Sequence, residues 1–199
     1  MRMLPIGIQT FEDIRKEDYI YVDKTKEINE MAKGGKFYFL SRPRRFGKSL
    51  LISAIKDLFK GKKELFDGLY IYDKWDWSKK YPVIHLDFAT IAYKTSEQLE
   101  SSLLDFVNST ANKYGVELSN NALPSRFAEL IEKLNKKAGE RVVILVDEYD
   151  KPLIDNLRDK EVYVQVKRAL HDFYQVIKAK DAHEKFVFMT GVSQFSRNI

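Results

Sequence analysis

The sequence predicts an α/β fold, a parallel sheet with helices on both faces. Two observations carry it. Four short apolar runs, at 36–41, 82–88, 141–146 and 186–190, alternate with segments whose apolar residues recur at helical spacing. The third run, from Arg141 to Val146, is apolar on consecutive positions, the pattern of a strand buried on both faces. Right-handed crossovers between such strands place helices on both sides of the sheet.

Taken in order, residues 10–34 are polar and mostly helical in pattern, with a short helix over 24–31 stopped by Gly34-Gly35. The aromatic run 36–41, bounded by those glycines and by Pro43, is the first strand. Leu51, Ile52, Ile55, Leu58 and Phe59 mark one face of a helix over 49–60, ended by Gly61. Residues 70–80 are irregular and aromatic, ahead of the second strand at 82–88. Thr95 opens a helix with Gln98 at capping-box spacing; Leu99, Leu103, Phe106 and Val107 form its stripe and Gly115 closes it. Phe127, Leu130, Ile131 and Leu134 mark another helix, closed by Gly139. The third strand follows, then a long helix through Val162, Val166, Leu170, Phe173 and Ile177, then the fourth strand. No closing element comes after it, so the core is expected to be incomplete at its carboxyl end.

Composition narrows the function. The chain has 199 residues, 44% hydrophobic and 32% charged, which fits a globular protein and argues against disorder. No apolar run approaches the ~20 residues of a membrane span, and the N-terminus has no signal-peptide pattern. There is no cysteine, so no disulfide, and with three histidines a zinc site is disfavoured. A cytoplasmic protein with no membrane partner is the expectation. The net charge of +5 mildly favours anionic ligands, though a solvated mixed-charge surface accounts for it as well.

The strongest motif is Ser41-Arg42-Pro43-Arg44-Arg45-Phe46-Gly47-Lys48-Ser49, joining the first strand to the first long helix. It ends as a phosphate loop does, G-K-[ST], in strand–loop–helix context. Gly47 lets the backbone approach phosphates, and helix-start amides hold the anion. Lys48 places a charge on the β- and γ-phosphates, and the Ser49 hydroxyl ligates Mg²⁺. The usual first glycine is replaced by Arg42, which cannot take a positive φ cheaply. The plain alternative is a basic loop with a turn glycine.

The run Val142–Asp147, followed by Glu148, matches the Walker B arrangement. Asp147 would reach the Mg²⁺ shell and Glu148 would orient or deprotonate the attacking water; the alternative is a strand ending in solvated acids. Thr190 or Ser193, after the fourth strand, would sit between the first and third strands and sense the γ-phosphate. Arg42, Arg44 and Arg45 would add charge around a triphosphate or contact a nucleic-acid backbone. An extra strand between the two motif strands, with glutamate beside aspartate, is the layout of the P-loop division that contains AAA+ proteins.

Together with residues 4–11 (LPIGIQTF), 21–25 (YVDKT), 39–50 (FLSRPRRFGKSL) and 146–150 (VDEYD), these motifs resemble the AAA-ATPase-like family from Pro5 to Ser196. The R-P-R-R-F-G-K-S loop is that family's normal form. The resemblance implies ATP and Mg²⁺ as ligands. Arg44, Arg45, Phe46, Gly47, Lys48, Ser49, Leu50 and Thr190 would lie around the nucleotide, Ser49 and Asp147 on the metal, and Lys48 and Glu148 in catalysis. It also implies packing of residues 8–11 on adenine and a following nuclease-like domain of the PD-(D/E)xK type that would engage nucleic acid; the sequence leaves open whether the chain forms a homo-oligomer. Residues 1–35 are then an N-terminal segment on a P-loop core over 36–199. The expected function is Mg²⁺-dependent ATP binding and hydrolysis. The alternatives are a nucleotide switch without turnover and a nucleic-acid-binding module using the arginines.

Overall fold

The computed structural model describes residues 2–193; the end of the expected core, 194–199, lies outside the described residues. Four strands, β1 (Phe37–Ser41), β2 (Val83–Asp87), β3 (Val142–Asp147) and β4 (Glu184–Gly191), form one parallel sheet in the order β1-β4-β3-β2. The last of the described strands is thus inserted between the first and third.

Strand alternation divides the core into two layers. Val83, Val143, Leu145, Phe186 and Phe188 face α3 (Lys48–Phe59), with α1 (Phe11–Lys16) and α2 (Thr25–Gly34) outside it. Ile84, Leu86, Ile144, Val146, Val187 and Met189 face α4 (Ser96–Tyr114), α5 (Leu123–Ala138) and α7 (Lys160–Ala179). The helix at 24–31 extends to α2, and α1 is a separate short helix. The irregular segment 70–80 builds the aromatic part of the first layer: Trp75 meets Phe59 edge-on and Trp77 tilts on Phe66, its indole N–H donating to the Tyr72 carbonyl at 2.7 Å.

All six residues of β3 are buried, as their unbroken apolar run predicts. β1 is different. It lies at the sheet edge, and Phe37 and Phe39 are about half exposed (46% and 51%). Thr95 caps α4, its hydroxyl accepting from the Gln98 amide, and Gly115 and Gly139 end α4 and α5 in left-handed conformation. Among the described residues no helix is long and apolar enough to cross a membrane.

Candidate functional site

All four strands run parallel, so their carboxyl ends gather on one side, where ligands of such sheets bind. The loop 42–47 leaves β1 there. Its backbone turns through two left-handed residues, Arg45 (φ 68°) and Gly47 (φ 73°), and Gly47 is the N-cap of α3. Arg42 is not among the positive-φ residues. Its side chain in place of a glycine therefore carries no backbone penalty, and Arg45 takes up the strained position. The first helical bond of α3 runs from the Leu51 amide to the Gly47 carbonyl, 3.0 Å. The amides of Lys48, Ser49 and Leu50 precede it and have no partner within the helix. A Cβ at Gly47 would meet no atom within 4 Å, so the space beside that residue is open.

Lys48 is buried, and its ammonium donates to the carbonyls of Arg42 (2.8 Å) and Pro43 (2.9 Å). The lysine thereby ties the loop's start to its end. Ser49 and Leu50 are half-buried, Leu50 with its side chain on the core, so Leu50 offers the loop only its amide. Arg44, Arg45 and Phe46 are exposed.

A second cluster stands at the ends of β3 and β4. Asp147 is buried; it accepts a short hydrogen bond from the Thr190 hydroxyl on the neighbouring strand and one at 3.0 Å from the Glu148 amide. The structure thus joins Thr190 to Asp147. Ser193 goes elsewhere: its amide (2.7 Å) and hydroxyl both donate to Asp150. Asp150, 1% exposed, also accepts from the Val192 amide at 3.0 Å. Glu148 sits at φ 52°, a left-handed conformation uncommon for a residue with a side chain. The next residue, Tyr149, turns back into the core, its amide donating to Thr190 O at 2.9 Å and its hydroxyl to Ser193 O at 3.0 Å. A Cβ on Gly191 would lie 2.7 Å from both Asp150 Oδ1 and Tyr149 Cδ1, so only glycine lets β4 pass this closely.

Sequence reasoning missed Asp150 and Gly191, whose roles rest on contacts forty residues apart, and Asp87. Asp87 ends β2 in register with Asp147. Burial, and then the Asp147 charge, push its carboxyl up, against a hydrogen bond from the Ala89 amide. Its signal was legible: a second apolar strand ending in aspartate. The expectation that residues 8–11 pack on adenine fails at Phe11. That ring is fully buried against Tyr21 and Phe66, and its amide donates to Ser53 Oγ at 2.9 Å, so it is spent on packing α1 to α3.

A model of the family described as predicted AAA-ATPase matches residues 5–198. The chain belongs to this AAA-ATPase-like family. It is 43% identical over 197 residues to a protein of Azotobacter chroococcum mcd 1 described as "Uncharacterized protein in vnfD 5'region"; the match covers 98% of this chain and 38% of that protein. The chain therefore spans well under half the length of this curated relative. No solved structure matches it. Family membership brings an ATPase-like, nucleotide-binding character at a coarse level.

The residues present suit Mg²⁺ in kind. The loop ends in a hydroxyl, Ser49, and the cluster at the ends of β3 and β4 offers a buried carboxylate, Asp147, both hard oxygen donors. Among the described residues no three His, Cys, Asp or Glu side chains gather as a metal cage. Mg²⁺ seldom uses such a cage, since it keeps waters and substrate phosphates as ligands.

Proposed function

We propose that the chain binds ATP with Mg²⁺ between loop 42–49 and the ends of β3 and β4, and hydrolyses it. One observation supports this most. β4 is inserted between the loop's strand and the Asp147 strand, and its Thr190 hydroxyl bonds the buried Asp147 carboxylate. A solvated acidic strand end has no use for that arrangement.

The helix-start amides of Lys48, Ser49 and Leu50 hold phosphate oxygens with the positive end of the α3 dipole. Lys48 exchanges its two loop carbonyls for the β- and γ-phosphates, at little cost because its ammonium is desolvated already. Ser49 and Asp147 hold Mg²⁺, which screens the phosphate charge. Glu148 orients and deprotonates the attacking water. Thr190 holds Asp147 in place and reads the γ-phosphate. The added positive charge that hydrolysis needs comes from Arg44, Arg45 or a second copy of the chain. A nuclease-like domain beyond this region, as the resemblance implies, would engage nucleic acid.

Thermal shift with ATP and Mg²⁺ tests the binding, since a ligand of the folded state raises Tm by mass action. Lys48→Ala should abolish the shift while lowering the ligand-free Tm by only a few degrees, since the Arg42 and Pro43 carbonyls lose one donor at a cost of about 1–2 kcal/mol. An undiminished shift in that variant would reject the loop assignment. Glu148→Gln should keep the shift and lower turnover by about 100-fold or more; equal, near-zero turnover in both proteins would instead favour a nucleotide switch.

A further inference from the structure

We propose that a cavity of about 140 Å³ at the free edge of β2, lined by Lys56, Lys60, Val83, His85, Thr110 and Lys113, is a second anion site that takes one phosphate group of a small ligand, inorganic phosphate or a phosphate monoester. The site is independent of the ATP reading. Lys56 and Lys60 lie two and three turns along α3 from Lys48, roughly 12–18 Å at 1.5 Å per residue. His85 precedes Asp87 by two residues, about 6–7 Å along the strand.

Three ammoniums converge here from both faces of the sheet. Lys56 on α3 and Lys60 at its C-cap are one turn apart, and Lys113 comes from α4 on the other side. Among the described residues none of the three has a carboxylate within salt-bridge distance or a side-chain hydrogen-bond partner. Lys36, Lys62, Lys133, Lys151 and Lys180 are all paired. The acid nearest in sequence, Asp57, is buried and turned to Lys62 at 3.1 Å. Burial, and then Lys113 and Lys56, hold the Lys60 ammonium below its ordinary value against the weaker pull of Asp57, so like charge outweighs opposite charge here.

The wall of the cavity adds neutral hydrogen-bonding groups. Tyr114 closes the first edge peptide of β2, its hydroxyl accepting from Val83 N–H (2.8 Å) and donating to Val83 C=O (3.0 Å). By strand alternation the next peptide facing away from β3 is that of His85. Burial, and then Lys56, Lys60 and Lys113, push the His85 imidazole down to about 4 against the pull of Asp147, so the ring is neutral; its Nε2 is buried without a partner. Thr110 supplies a hydroxyl. Three cations around one small concavity match a doubly charged tetrahedral group better than a carboxylate, which brings one charge. A nucleic-acid backbone is read by a row of cations along a groove, which this single spot is not.

The test uses the chain with Lys48→Ala, which removes phosphate binding at the loop. His85 ring resonances are followed at constant ionic strength during titration with inorganic phosphate, with glycerol 3-phosphate and with a short DNA duplex. We expect a saturable shift with phosphate. Lys60→Gln with Lys113→Gln should weaken it at least tenfold, and Lys26→Gln with Lys33→Gln on the remote α2 should leave it within about twofold. Tighter binding of glycerol 3-phosphate would assign the site to a monoester; equal or weaker binding would assign it to free phosphate. Shifts that do not saturate, an unchanged affinity in the Lys60/Lys113 variant, or a response to DNA alone would overturn the proposal.

Discussion

At the carboxyl ends of β3 and β4 the buried polar side chains Asp147, Asp150 and Thr190 are all hydrogen-bonded within the protein, whereas the loop beside them, 42–47, is exposed and tied by Lys48 and by the Arg42 amide, which donates to Gly191 O at 3.1 Å. The difference suits two kinds of ligand chemistry. A carboxylate that is to meet a metal benefits from having its desolvation and orientation settled during folding. A loop that is to wrap a large, hydrated polyanion, as proposed for this one, benefits from helix-start amides with no partner within the helix. In the proposed reading, binding energy would complete the second half of the site, and folding energy completes the first.

The largest effect on this comparison is expected at Asp150. Asp150→Ala leaves the amides of Val192 and Ser193 without their acceptor and should cost about 3 kcal/mol, a Tm lower by roughly 6–12 °C in calorimetry. A loss below about 1 kcal/mol would mean that the clamp at the end of β4 is not built as described. Gly191→Ala should cost about 2 kcal/mol, because its methyl drives into Tyr149 and Asp150. Urea unfolding of that variant reads the same clamp from its other side.

The amino end of β4 sharpens the contrast. Glu184 is fully buried there, both carboxyl oxygens lack partners, and burial pushes it up to about 8. Between its unfolded value and about 8 the folded state holds a proton that the unfolded state releases, so stability falls as pH rises through that window. Glu184→Gln, which mimics the protonated form, should raise Tm at pH 8 and by much less at pH 5, the gain growing through the window in which the folded state keeps its proton. A gain independent of pH would place Glu184 in its charged form. The smallest effect belongs to the open loop. Arg45→Gly relieves a left-handed residue and should change stability by less than about 1 kcal/mol, in the stabilising direction, in the absence of nucleotide.

Much of the fold was legible because its signals are local. The unbroken apolar run of 141–146 announced burial on both faces, and Thr95, Gly115 and Gly139 announced where helices begin and end. The phosphate-loop ending G-K-S announced its own position before a helix. The short α1 and α6 (Lys151–Asp155) were not separately legible, since five or six residues carry too little periodicity. Phe11 misled for a different reason: its adenine role was implied by the family resemblance alone, and an aromatic residue looks the same in sequence whether it meets a ligand or a core.

Residue order alone settled the alternation of strand and helix, the loop that opens α3, and the carboxylate that ends β3, because each depends on neighbours within a few positions. Only the tertiary structure decided that Thr190 rather than Ser193 bonds Asp147, that Asp150 fastens β4, that Asp87 stands beside Asp147, and that three lysines from two helices surround His85. Those pairings join residues far apart in the chain, and nothing short of the sheet's strand order and the crossing of its helices brings them within hydrogen-bond or Coulomb range.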